Sequence, residues 1–154
     1  MKTEIQNRIK AFLANHYVMV CGVSEGTQPL VFTAWYVTEN SQTLYFKSRT
    51  ASHHIKALLK NPMIALAIYE HTSTYAEKAG VQAIGKVERV KSPVEMTKVV
   101  QLYSKAFAGA GAKLADIPSL LGEYISSTMY KIRIEKVKMV DSSEGIEMNE
   151  YEEL

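Results

Sequence analysis

The chain has 154 residues, 47% hydrophobic and 22% charged, which predicts one globular domain with a substantial core. Its apolar runs are too short and interrupted to span a membrane, and the polar start Met1-Lys2-Thr3-Glu4-Ile5-Gln6 has no signal-peptide core. Cys21 is the single cysteine, which excludes an intrachain disulfide, and the combination predicts a cytoplasmic protein.

In chain order, Thr3-Glu4-Ile5-Gln6 has capping-box spacing, and Ile5, Ile9, Phe12 and Leu13 repeat at helical spacing, which predicts a helix ending near Asn15. Tyr17 to Val23, Leu30 to Thr38 and Thr43 to Lys47 read as strands joined by the turns Ser24-Glu25-Gly26-Thr27 and Glu39-Asn40-Ser41-Gln42. A short helix follows, with Ile55, Leu58 and Leu59 as its buried face, and Asn61-Pro62 stops it. Met63 to Tyr69 is a continuous apolar run and Gly80 to Val90 alternates, with Val81, Ala83, Gly85 and Val87 on one face. Ser92-Pro93 opens a helix carrying Val99, Leu102, Tyr103 and Phe107, which ends at Ala108-Gly109-Ala110-Gly111. Asp116-Ile117-Pro118 marks a further short helix, and Tyr130 to Val140 is the last strand.

Six strands with hairpin links and few helices predict a mainly β, α+β fold built on a small antiparallel β-barrel over residues 1–140. Asp141 to Leu154 reads as an acidic, mobile tail: it holds six acids and no Lys or Arg. Without it, ten acids stand against 18 basic residues, so the body carries +8 where the whole chain carries +2. That charge suits either a nucleic acid or a phosphate ligand.

The positive charge is concentrated where a strand gives way to a helix. No acid lies between Glu39 and Glu70, and the centre of that gap reads Lys47-Ser48-Arg49-Thr50-Ala51-Ser52-His53-His54-Ile55-Lys56. Fixed cations and hydroxyl donors at a helix N-terminus suit an anion, while a solvated basic loop is the plainer reading. His54 falls at the edge of the buried helix face, one turn before Leu58, whereas His53 and Lys56 point outward. Two adjacent histidines without a Cys, Asp or Glu cluster do not make a zinc site.

The ordered set Leu44-Tyr45-Phe46-Lys47-Ser48, Arg49-Thr50-Ala51, Ser52-His53-His54, Leu58, Asn61-Pro62 and Met63 to Ala67 resembles the FMN-binding split-barrel proteins related to pyridoxamine 5′-phosphate oxidase. Thr33-Ala34-Trp35-Tyr36 is similar to the family strand that lies against the flavin, and Gln82-Ala83-Ile84-Gly85 to the strand after the barrel loop. His54 stands where the family usually has a phosphate lysine, and the arginine-rich closing motif of the pyridoxamine phosphate oxidases themselves has no match near Tyr130 to Val140.

The resemblance implies a homodimeric split barrel that holds FMN between subunits for flavin-dependent redox chemistry. It implies Arg49 as phosphate clamp, with Lys47, Ser48, Thr50, Ser52 and His54 around it, and Thr33, Ala34, Trp35 and Gln82 against the ring. The plainer alternatives are N-capping for Ser52, a surface role for His54, core packing for Trp35 and solvent exposure for Gln82. At the level of function the alternatives are a non-enzymatic binder of flavin, deazaflavin or haem, and a nucleic-acid-binding barrel. The last is disfavoured because the aromatics do not cluster with the basic run.

Overall fold

The computed structural model describes residues 1–108 and 127–154. Helix α1 (Thr3–Asn15) precedes strands β1 (Val18–Glu25), β2 (Gln28–Thr38) and β3 (Thr43–Ser48). Helix α2 (His53–Lys60) leads into β4 (Met63–Tyr69) and β5 (Ala79–Arg89), and α3 (Pro93–Ala108) precedes β6 (Thr128–Asp141). Two short strands, β7 (Ile146–Glu147) and β8 (Glu152–Glu153), follow. The helix end expected at Gly109 to Gly111 and the short helix expected at Asp116-Ile117-Pro118 lie outside the described residues.

Every strand pairing is antiparallel, and the order β3-β2-β1-β4-β5-β6 closes on itself through β3–β6, giving a six-stranded barrel. The β1–β2 turn is two residues long, with Gly26 at a φ of 59°, a backbone region glycine enters without steric cost. Strands run slightly beyond their sequence limits because pairing extends them: Gln28 faces Glu25, Thr128 faces Ser48, and Asp141 faces Ala79.

Alternation decides what enters the barrel. Met19, Cys21 and Val23 of β1 are buried, as are Ile64, Leu66 and Ile68 of β4 and Val81, Ala83 and Val87 of β5. Gly85 sits at a register shift between β5 and β6, where a Cβ would run into the Arg133 backbone carbonyl. The barrel is solid, filled by side chains that include Phe46, Ile132 and Val137.

The helices close its ends. Helix α1 buries Ile9, Phe12 and Leu13 at one end, where the Tyr36 hydroxyl donates to the Leu13 carbonyl and Arg8 pairs with the fully buried Asp141. Helix α2 buries Ile55, Ala57 and Leu58 at the other end, each large side chain contributing about 1.5–3 kcal/mol. Leu59, expected in that face, is 75% exposed, and Ala57 takes the inward position instead. Helix α3 packs Val99 with Val37, Tyr45, Val90 and Met129 in a second cluster outside the barrel wall. Pro93 is its first residue, and the Ser92 hydroxyl accepts from the Glu95 amide.

Two sequence expectations change. The Thr3–Gln6 capping box does not form: Thr3 already lies inside α1, Lys2 is the cap residue, and no side chain caps the helix. The acidic segment after Val140 does not trail away from the barrel. Strands β7 and β8 pair with β6, and Ile146, Met148 and Leu154 pack against the core. The N-terminal ammonium pairs with Glu152. Acid content hid three well-spaced apolar anchors.

Candidate functional site

Pairing with β6 sets Ser48 opposite Thr128 at the α2 end of the barrel. The chain then turns tightly, the Ser52 amide donating to the Arg49 carbonyl at 3.0 Å, and α2 begins at His53. Arg49, Thr50 and Ala51 are exposed on this turn, while Lys47, Ser48 and Ser52 are half-buried. Ser52 occupies the N-cap position with extended backbone, but its hydroxyl makes no capping bond. Capping therefore does not hold that side chain against the helix, and the first amides of α2 have no partner inside the helix.

The two histidines separate as the helix geometry requires. His54 turns inward, stacks on Phe32 with ring centroids 3.9 Å apart and 10° between planes, and places Nε2 2.9 Å from the Ser48 hydroxyl. Burial of the ring and then the neighbouring His53 hold its pKa below the ordinary imidazole value. His53 is outward and pairs with Glu25 at the end of β1. The acid-free stretch is thus acid-free along the chain only, since the hairpin brings Glu25 to its edge. A groove of about 550 Å³ lies on this outer side, lined by Glu25, Ala51, His53, Lys56, Leu59 and Lys60.

The other sequence-predicted residues lie elsewhere. Thr33 and Trp35 are on the outer face of β2, and Trp35 is 58% exposed instead of packed in the core. Phe32, Ala34 and Tyr36 take the inward positions, so the strand's phase excludes Trp35 from the barrel. Trp35 meets Phe107 of α3 edge-on at 5.4 Å, and the Tyr103 hydroxyl donates to its carbonyl. Gln82 is exposed on the outer face of β5, opposite Ala67 and Lys138. It receives a hydrogen bond from the Tyr151 hydroxyl at 3.4 Å and lines a cleft of about 220 Å³ with Tyr69 and Lys138. Lys138 is ten positions along β6 from Thr128, so Gln82 belongs to the α1 end, away from Ser48 in the same chain.

Within one chain the fold brings together Lys47, Ser48, Arg49, Thr50, Ser52 and His54, sets β2 with Thr33, Ala34 and Trp35 beside β3, and holds Gln82 at the opposite end. Sequence reasoning missed Phe32 as the platform for His54. Counting back by twos from Tyr36 would have found it. It also missed Glu25, whose approach depends on hairpin register that local pattern does not reveal.

The donor set is chemically suited to an anion with several oxygens. It brings together a guanidinium, three hydroxyls, an imidazole and a helix N-terminus, and among the described residues the carboxylate at its edge is that of Glu25, engaged by His53. Among the described residues no group of three His, Cys, Asp or Glu can hold a metal ion, and no helix is long and apolar enough to cross a membrane. Cys21 is enclosed in the barrel, where burial pushes its thiol up to about 12, so it is not a nucleophile.

Similarity to known proteins agrees with this architecture. A UPF0306 protein of Cronobacter sakazakii is 26% identical over 138 residues, 89% of this chain and 87% of that protein. A FAD-binding protein of Mesorhizobium loti superposes with a TM-score of 0.66 at 17% identity, covering 90% of this chain and 94% of that one. HutZ, the heme storage protein of Vibrio cholerae, superposes with a TM-score of 0.64 at 14% identity, covering 88% and 93%. At such identities the two superpositions speak for the fold alone. Residues 5–141 match the sequence model of pyridoxamine 5′-phosphate oxidase, nearly the whole barrel from α1 to the end of β6. A closed six-stranded antiparallel barrel and that match together make this chain a member of the pyridoxamine 5′-phosphate oxidase family.

Proposed function

We propose that the protein is a homodimeric flavoprotein that holds FMN by its phosphate at the β3–α2 junction and carries out flavin-dependent oxidoreductase chemistry. The observation that carries this reading is the junction itself: exposed Arg49, the uncapped Ser52 hydroxyl and the His54–Ser48 pair converge on the N-terminus of an eight-residue helix. Arg49 offers the phosphate paired N–H donors, and Ser48, Thr50 and Ser52 offer hydroxyls. FMN, when bound, supplies the electron or hydride transfer, and the protein supplies binding and orientation.

The outer face of β1, β2 and β4 supports a second subunit in this reading. Val18, Val31, Trp35 and Tyr69 are between 45% and 73% exposed there, and Gly22 and Ala65 lie flat between them. Exposed apolar side chains on a sheet face of this kind are what a second copy would cover. Covering it would let Gln82 of one subunit reach the ring bound by the other.

A non-enzymatic haem binder is the second reading, favoured by the superposition on HutZ. The same cations would pair with haem propionates. The visible spectrum decides: protein mixed with FMN, and separately with haemin, is passed through a desalting column. Flavin bands that elute with the protein support the proposal, and a Soret band alone favours the second reading. Reduction of the bound flavin by NAD(P)H, followed by reoxidation, separates an oxidoreductase from a carrier.

A further inference from the structure

The inward histidine has two arrangements with different consequences for an anion. Its Nε2 is 2.9 Å from the Ser48 oxygen, and stacking on Phe32 prevents the ring from turning away. When Nε2 is unprotonated it accepts from Ser48, and the only hydroxyl proton of that serine is used. When Nε2 carries a proton it donates to the Ser48 oxygen, and the hydroxyl proton is released toward the junction. Starting from the neutral tautomer with its proton on Nδ1, one proton taken up at Nε2 thus adds a positive charge and frees a second donor.

We propose that His54 and Ser48 form a proton-operated relay that couples anion binding at the β3–α2 junction to uptake of one proton by His54. This inference rests on the flavin-phosphate reading above and adds its regulation by pH. Burial and then the neighbouring His53 lower the ring's affinity for a proton in the free protein. Among the described residues the other charged groups near it are Glu25, which pairs with His53, Lys47 of β3 and Arg49 of the turn. Strand β2 carries no charged residue from Gln28 to Thr38 and presents the Phe32 ring instead. A dianionic phosphate brought to this pair reverses the balance and draws the proton onto the ring.

Linkage gives the direction. A group that gains a proton on binding makes affinity fall as pH rises, by up to about tenfold per pH unit for one proton. Between pH 7 and 9 the phosphate is already dianionic, since its second pKa is about 6. The dissociation constants of FMN and of riboflavin, which lacks the phosphate, are measured across that range. Measurements use the wild-type protein and the variants His54→Asn and His54→Gln, checked for folding by circular dichroism. The expected result is FMN affinity that falls with pH in wild type and is flat in both variants, with riboflavin flat throughout. FMN binding with no pH dependence, or with the same dependence in the variants, overturns the relay and leaves the flavin reading intact. Failure of FMN to bind at any pH in the range overturns both.

Discussion

Single side chains in this barrel are decided by what each can approach. Gly85 is the sharpest case, because a Cβ there meets the Arg133 carbonyl, backbone that cannot swing aside. Gly85→Ala should cost about 1–3 kcal/mol through forced strand separation. At about 2–4 °C per kcal/mol for a chain of this size, calorimetry should record a melting temperature lower by several degrees. An unchanged melting temperature would show that the bulge can relax. The residue scale is also where the sequence was most legible. Types and spacing predict His54 inward and His53 outward, because helical geometry alone fixes that. They do not predict the Phe32–His54 stack or the His53–Glu25 pair, since both depend on how β1 and β2 register against α2. Trp35, whose plainer reading was core packing, shows the same limit. Two aromatics in succession must face opposite ways, but only the pairing phase says which one enters the core.

The elements themselves followed from periodicity and punctuation. Pro93 after Ser92 opens α3 and Asn61-Pro62 ends α2, each through a local steric rule that tertiary context did not override. The segment after Val140 shows the limit, because its apolar anchors are diluted by six acids. Its start is held by an ion pair. Burial pushes the Asp141 carboxyl up, but hydrogen bonds from Ser143, the Arg8 guanidinium and a backbone amide outweigh it and hold it below the usual carboxylate range. A depressed folded-state value contributes stability above the ordinary aspartate pKa, and that contribution is lost as pH falls through the lowered value. Arg8→Ala leaves the buried charge without its cation and should cost about 3 kcal/mol at pH 7. Urea denaturation should show a smaller penalty at pH 3, where protonation relieves the orphaned carboxylate. A penalty equal at both pH values would mean that Arg8 acts by packing alone.

For the molecule as a whole, closure of β3 on β6 was legible only as a class of barrel. Strand order is a long-range property, and hairpin signals reveal neighbours in sequence rather than the pair that closes the sheet. The closed barrel sends one apolar set inward and leaves a second exposed on the outer face of β1, β2 and β4. If a second copy covers that face, Val31→Lys and Trp35→Glu should shift the protein from dimer to monomer in sedimentation velocity. Both should weaken FMN binding as well, because Gln82 of the partner would no longer reach the ring. Wild-type protein that sediments as a monomer at micromolar concentration would remove the basis for a site shared between subunits.

The most direct test of the account is a comparison of FMN and riboflavin affinities in wild type and in Arg49→Ala. A charged hydrogen bond to phosphate contributes about 1.5–3 kcal/mol, so the variant should bind FMN about ten- to a hundredfold more weakly and riboflavin equally well. Equal FMN affinity in the two proteins, or a matching loss for riboflavin, would contradict a phosphate site at the β3–α2 junction.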